Sequence, residues 1–193
     1  MIEKRFSGQR TSIFFTEEYH VNREAAHHLE QYETHRPRLI RAYEIIKTLD
    51  VKTIVDLGCG DGGLLSLLTD YKAWGYDFCP DNVKYATEVR GVNTTHSHFV
   101  DNIDSINTDA DLGVLTEVLE HLEEPHLFLK RLHNTDLKSI LCSSPWGETD
   151  LDFVEGHVWA WDREGYYRMV QDSGWNVVLH EDIGANQIIM AVK

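Results

Sequence analysis

From Val51 onward, short apolar runs alternate with stretches whose apolar residues recur at helical spacing. Lys52-Thr-Ile-Val-Asp-Leu57, β-branched and followed by glycines, predicts a buried strand. Leu64, Leu65, Leu67 and Leu68 predict a helix over Asp61–Asp70. Ala73–Asp77 reads as a second strand and Asp81–Arg90 as a second helix, its start marked by Pro80. Thr95–Val100 and Asp111–Thr116 read as the third and fourth strands. Glu123–His133 reads as a helix with Leu127, Leu129 and Leu132 as core positions. Lys138–Ser143 reads as a fifth strand, Asp162–Ser173 as a helix ended by Gly174, and Trp175–His180 with Gln187–Val192 as a closing hairpin. Strands alternating with ten-residue helices predict a parallel sheet covered on both faces.

The first fifty residues differ. Asn22–Glu33 and Arg38–Leu49 read as helices separated at Pro37, the second with the better apolar face (Leu39, Ile40, Tyr43, Ile46). Neither repeat nor linker marks a boundary. Residues 1–50 are therefore expected to be a helical extension that caps the sheet or covers a pocket of a domain spanning 51–193.

Bulk properties narrow the function. At ~100–200 residues per domain, 193 residues make one domain with ample core. The longest apolar run, Ile188–Val192, is too short to span a membrane, so no membrane partner is expected. The start lacks the apolar stretch of a secretory signal, and three scattered cysteines, Cys59, Cys79 and Cys142, make no disulfide framework. A cytoplasmic location is the expectation. The net charge of −14 falls entirely on residues 51–193, because residues 1–50 hold eight basic and eight acidic side chains. An acidic body disfavours a nucleic-acid partner, which presents phosphates. Arg36, Arg38, Arg41 and Lys47 read as a solvated helix face.

Chemistry begins at Asp56-Leu-Gly58-Cys-Gly60-Asp-Gly62-Gly63, between the first strand and the first helix. Glycines there permit positive φ and close approach of backbone to a ligand. Ligands of open α/β sheets sit at the carboxyl ends of strands, near the topological switch. Gly58-x-Gly60-x-x-Gly63 also satisfies the dinucleotide fingerprint, with Asp77 at a suitable distance for a ribose. Asp56 argues against that cofactor: its carboxylate repels a pyrophosphate and attracts a sulfonium ligand carrying an ammonium.

This segment resembles the first motif of class I S-adenosylmethionine-dependent methyltransferases. Gly75-Tyr-Asp77-Phe-Cys-Pro80 resembles their second motif, and Leu115-Thr-Glu-Val-Leu-Glu-His-Leu-Glu-Glu-Pro125 their fourth. The resemblance covers residues 50–193. It implies a Rossmann-like α/β fold with a seven-stranded, mostly parallel sheet, helices on both faces, and S-adenosylmethionine as cofactor. Gly58, Cys59 and Gly60 would pass the methionine part, Asp56 would lie near its amino group, and Asp77 would accept both ribose hydroxyls. Phe78 would flank the adenine, while Asp101 with Asn102 beside it would meet the adenine amino group; Asp104 lies close enough to compete. Cys79 stands where a serine often precedes the proline, as a weak helix cap.

Glu117, Glu120 and His121 follow strand four, the edge that faces the methyl group in this family, and Glu117 is counted with the cofactor residues as well. An i, i+3, i+4 spacing aims three side chains at one point if a helical turn begins there. Two carboxylates and an imidazole suit Mg²⁺, Mn²⁺ or a borderline metal. The bland alternative is that Glu120 and His121 cap the next helix. Gly156-His157-Val-Trp-Ala-Trp161 resembles the corresponding stretch of two groups. These are the quinone-biosynthesis-type small-molecule O-methyltransferases and the metal-dependent 2′-O-methyltransferases of small-RNA 3′ ends. The second resemblance implies a metal shared by Glu117, Glu120, His121 and His157. Without metal, His121 or His157 is the natural catalytic base. Among Trp146, Trp159, Trp161, Tyr166 and Tyr167, the first two are candidates for lining an acceptor pocket.

The expected activity is methyl transfer to an oxygen of a small polar metabolite or sugar. Metal-assisted 2′-O-methylation of RNA is the runner-up, and a non-catalytic methyltransferase-like binding subunit or a nicotinamide-dependent reductase would be the alternatives of other classes. Retention of Asp56, Gly58, Gly60 and Asp77 favours an active enzyme.

Overall fold

The structure is a computed structural model that describes residues 2–4, 25, 27–31, 33, 35–100, 102–148 and 157–193. Seven strands form one sheet: β2 (Thr53–Leu57), β3 (Lys72–Asp77), β4 (Thr94–His96), β5 (Leu112–Thr116), β6 (Ser139–Pro145), β8 (Asn176–Ile183) and β9 (Asn186–Val192). Their order is β4-β3-β2-β5-β6-β9-β8. All neighbours from β4 to β6 are parallel, and β9 runs antiparallel between β6 and β8. The chain leaves β2 towards β3 on one side and returns through β5 on the other, so the topological switch lies between the carboxyl ends of β2 and β5. A separate two-stranded ribbon pairs β1 (Ile2–Lys4) with β7 (Trp159–Trp161).

Each face of the sheet buries its own core. One gathers Val55, Leu57 and Leu115 with Leu129 and Leu132 of α3 (Pro125–His133) and Tyr166 and Val170 of α4 (Arg163–Asp172). The other gathers Ile54, Leu112 and Val114 with Leu39, Ala42, Ile45 and Ile46 of α1 (Arg36–Ile46). Those four α1 residues share one helical face, which burial against the sheet stabilises by roughly 1.5–3 kcal/mol for each large side chain. α2 (Pro80–Glu88) buries only Ala86.

Several expected elements take another form. Instead of a helix over Asp61–Asp70 there is a 3₁₀ turn, Leu65–Leu67. Gly62 at φ 76° cannot join a right-handed helix, yet Leu64, Leu65 and Leu68 are buried as their spacing requires. Pro37 lies in the first turn of α1, where its missing N–H costs nothing, and interrupts no helix. The third strand is only Thr94–His96. Leu127 is 39% exposed, on the outer side of α3. Of the expected helix Asn22–Glu33, residues 22–24, 26 and 32 lie outside the described residues, and His28–Glu30 is a single 3₁₀ turn. Among the described residues no helix is long and apolar enough to cross a membrane.

Candidate functional site

Two groups of side chains meet at the carboxyl edge of the sheet. The first is built around the glycine loop. Gly58 N and Cys59 N both donate to Tyr76 O (2.8 and 3.1 Å), which folds the loop back over β3. Gly58 and Gly60 hold φ of 83° and 54°, the left-handed region that favours glycine. A Cβ on Gly58 would also lie 2.5 Å from Val118 Cγ2. Gly60 N donates to Asp77 Oδ2 (2.8 Å), Cys79 N to Asp77 Oδ1 (2.9 Å), and Asn82 Nδ2 to Oδ1 (3.3 Å). Burial raises the Asp77 carboxyl above its ordinary value, opposed by the two backbone N–H groups and Asn82.

Asp56, one strand over, is 1% exposed and its Oδ1 has no hydrogen-bond partner. Burial, then the charge of Asp77, pushes its carboxyl up to about 7, against the pull of Arg38. A buried carboxylate with one oxygen unpartnered among the described residues, beside a loop of backbone turns, fits a ligand bearing an ammonium group, as the methionine part of S-adenosylmethionine does. Cys59 is buried and its thiol is pushed well up by burial, so its side chain is an inert packing group. Cys79 is the N-cap residue of α2, and burial raises its thiol pKa against the pull of the backbone N–H groups of Asn82 and Asp81 in the first turn. Phe78 is half-buried, its ring 6.1 Å from that of His98. Asn102 and Asp104 are exposed on one 3₁₀ turn, and Asp101 lies outside the described residues.

The second group begins at the end of β5. Glu117 sits at φ 58°, a left-handed conformation uncommon for a residue with a side chain. Its backbone N donates to Ser143 O (3.1 Å) and its Oε1 accepts from Ser143 Oγ (3.2 Å). Oε2 lies 3.0 Å from Arg38 Nη1. Arg38, placed on a solvated face by sequence pattern, is 2% exposed, and its Nε has no hydrogen-bond partner. Its burial against Glu117 is not legible in the sequence pattern.

Glu117 is followed by the 3₁₀ turn Leu119–His121, which buries Glu120 completely. Among the described residues neither carboxylate oxygen of Glu120 has a hydrogen-bond partner. Burial first, then the Glu117 charge, holds its carboxyl well above the ordinary range. Val158 N donates to Glu120 O (2.8 Å), which brings the chain around His157 onto this turn. The His121 and His157 rings meet edge to face, 4.8 Å between centroids. One ligand atom each from Glu120, His121 and His157 fall within 4.8 Å of one another. Glu117 stands outside that trio, against Arg38. The Glu120 carboxylate caps no helix among the described residues, its oxygens having no hydrogen-bond partner there.

His157 Nδ1 is 3.0 Å from Glu148 Oε2. The carboxylate accepts, so Nδ1 carries the proton and Nε2 keeps its lone pair, the tautomer suited to a metal or a base. Glu148 was not singled out in the sequence, and only its fold-made proximity to His157 gives it a role. Trp161 and Tyr166 belong to the core, while Trp159 is half-buried with Nε1 on Glu123 O. Tyr167 stacks on His180. Trp146 remains 41% exposed, with Nε1 on Gly184 O.

A family model described as a methyltransferase domain matches residues 25–180. A small RNA 2′-O-methyltransferase of Arabidopsis thaliana is 30% identical over 105 aligned residues, 46% of this chain and 11% of that protein. The chain thus spans about a tenth of that relative's length. Among solved structures, the methyltransferase domain of bacterial CtHen1-CN matches with a TM-score of 0.65 at 21% identity, over 82% of this chain and 98% of that one. The small RNA methyltransferase HEN1 matches with 0.69 at 24%, over 81% of this chain and 25% of that one. An O-methyltransferase family protein from Burkholderia thailandensis matches with 0.66 at 14%, over 82% and 55%. At these identities the solved structures show a common fold.

Proposed function

This chain belongs to the S-adenosylmethionine-dependent methyltransferases, and we propose that it carries the methyl group to a hydroxyl of a small polar metabolite or sugar, with a divalent cation at Glu120, His121 and His157. The observation that carries this reading is Glu120: a fully buried carboxylate, both oxygens unpartnered, beside two imidazoles. Such a group costs several kcal/mol unless something cationic meets it. One carboxylate and two imidazoles fit a divalent cation, which when bound lowers the pKa of the acceptor hydroxyl and templates its approach.

The chain's own residues do the rest. Asp56 and the backbone of Gly58–Gly60 would receive the methionine end of the cofactor, and Asp77 its ribose, while holding Gly60 and the start of α2 in register. Glu148 orients the His157 ring. Arg38 fixes Glu117 at the rim of the trio, so that Glu117 adds negative charge there without being a member. With no cation, the His157 lone pair left free by Glu148 is the base that takes the acceptor's proton.

The test is transfer of labelled methyl from S-adenosylmethionine into a metabolite extract, with and without EDTA, alongside metal analysis of variants. Activity should disappear on chelation and return with Mn²⁺ or Mg²⁺. Glu120→Gln and His157→Ala should each lose metal and at least ~100-fold in activity, because the remaining ligands no longer complete a shell. Chelator-insensitive turnover that dies only in His121→Ala or His157→Ala would identify a histidine base instead. A second reading, the 2′-hydroxyl of an RNA 3′ end, is favoured by the similarity to the Arabidopsis protein and opposed by the net charge of −14. In the same assay, RNA accepting methyl only when its terminal ribose is not 2′-deoxy would select it.

A further inference from the structure

The segment His27–Gln31 lies across the glycine loop and is tied to it through Arg90 and, more loosely, through His28, whose Nδ1 lies 3.8 Å from Asp61 Oδ1. A Cβ built on Gly60 would be 3.2 Å from His28 Nδ1, and one on Gly63 would be 3.4 Å from Leu29 Cβ. The turn His28–Glu30 therefore covers the same loop whose backbone would run along the methionine part of the cofactor. Arg90, just past α2, joins the two: its Nη2 is 2.7 Å from Glu30 Oε2 on the segment and 2.5 Å from Asp61 Oδ2 on the loop. Its Nε also donates to Asp61 O at 2.9 Å.

The two halves of this bridge differ in kind. The Asp61 side chain is fully buried and that of Arg90 is 9% exposed, so their pair is shielded and fixes the loop to the end of α2. The Glu30 side chain is 50% exposed, so its pair with Arg90 is screened by water and opens easily. The segment also carries a strained backbone. His27 holds φ 51° while its ring meets Tyr85 of α2 edge to face at 4.5 Å. His27, Glu30 and Asp61 bring possible metal-ligand atoms together as well. The guanidinium already supplies the positive charge between the two carboxylates, so the cluster is an ion-pair latch.

We propose that the Arg90–Glu30 pair latches the His27–Gln31 segment shut over the glycine loop, so that S-adenosylmethionine and its product leave only when the pair opens. Arg90 is a positioning residue in this scheme: it touches no reacting atom and acts through the loop and the strap it holds. Breaking the exposed half alone removes the strongest charged tie of the strap and leaves the looser His28–Asp61 approach, the long Arg36–Leu29 hydrogen bond and the His27–Tyr85 ring contact, while Asp61 keeps the loop in shape. The proposal rests on the reading of this loop as the cofactor cradle.

Stopped-flow displacement of S-adenosylhomocysteine, with hydrogen exchange over residues 27–31, tests it on the full chain. Glu30→Gln removes an exposed charge and leaves the fold intact. Losing such a pair should raise the dissociation rate about fivefold and speed exchange of the amides of Glu30 and Gln31, which bond to His27 O and His28 O. The turnover number at saturating cofactor should not fall. Arg90→Met, which cuts both halves, should raise the rate further. Dissociation from Glu30→Gln within twofold of wild type, or an effect confined to association, overturns the latch. Wild-type protein that binds neither ligand by calorimetry overturns the cradle reading itself, and the latch with it.

Discussion

At the cofactor edge the Asp77 carboxylate accepts from Gly60 N, Cys79 N and Asn82, whereas at the acceptor edge the Glu120 carboxylate accepts from no donor among the described residues. Both are buried acids at the ends of neighbouring parts of one sheet. The difference lies in what the backbone offers. A glycine loop and a helix start present free N–H groups, so Asp77 is satisfied within the protein and shapes the loop before any ligand arrives. Around Glu120 stand two imidazoles, of His121 on its own turn and His157 beside it, and the charge of Glu117 instead. The polarity of this turn is left unbalanced, to be balanced by what binds. One edge is a finished scaffold and the other an unfinished coordination shell.

The largest expected effect tests the scaffold. Gly60→Val places a β-branched residue at φ 54°, at ~1–2 kcal/mol in backbone strain, and presses on His28, whose Nδ1 lies 3.2 Å from the Cβ position. Cofactor affinity should fall at least ~100-fold by calorimetry while far-UV circular dichroism remains folded. Retained affinity would mean that the ligand does not lie against this loop.

Asp56 breaks the contrast, being an unsatisfied acid on the finished edge, and pH exposes it. Its folded pKa of about 7 stands above the ordinary 3.8, so the folded state holds the proton more tightly than the unfolded chain. The stability it contributes is complete below pH ~4 and is lost as pH rises through about 7, a span worth about 4 kcal/mol. Urea midpoints of cofactor-free protein should decline over that window, and Asp56→Asn should remove much of the slope. An unchanged slope would assign the decline to Glu120.

A smaller effect is expected at Asp77. Asp77→Ala removes charge-assisted bonds and should weaken cofactor binding by ~1.5–3 kcal/mol. Wild-type affinity would take Asp77 out of the site. Least affected should be Asn82→Ala, whose 3.3 Å bond is long beside two backbone N–H donors. A change within ~0.5 kcal/mol would fit an edge held by its backbone. A tenfold loss would show that side chains, not the loop, shape it.

The sequence by itself determined the fold class, the order of the seven sheet strands and of α2, α3 and α4 from Val51 onward, and the segments that reach the carboxyl edge. Period-two and helical spacing act over a few residues, and a glycine run between strand and helix has few other uses. Even where local form failed, as in Asp61–Asp70, the buried leucines were those that spacing marked. Tertiary structure alone decided which charges meet. Arg38 is one charged residue among several on its helix, and only packing α1 on the sheet carries it to Glu117. His157 gains its tautomer from Glu148, and Arg90 gains Glu30 and Asp61, through chain paths that no local pattern records. Apolar burial tolerates any partner of suitable size, so it is written into spacing. A charge is stabilised only by a particular opposite charge at a particular distance, and long-range folding sets that distance.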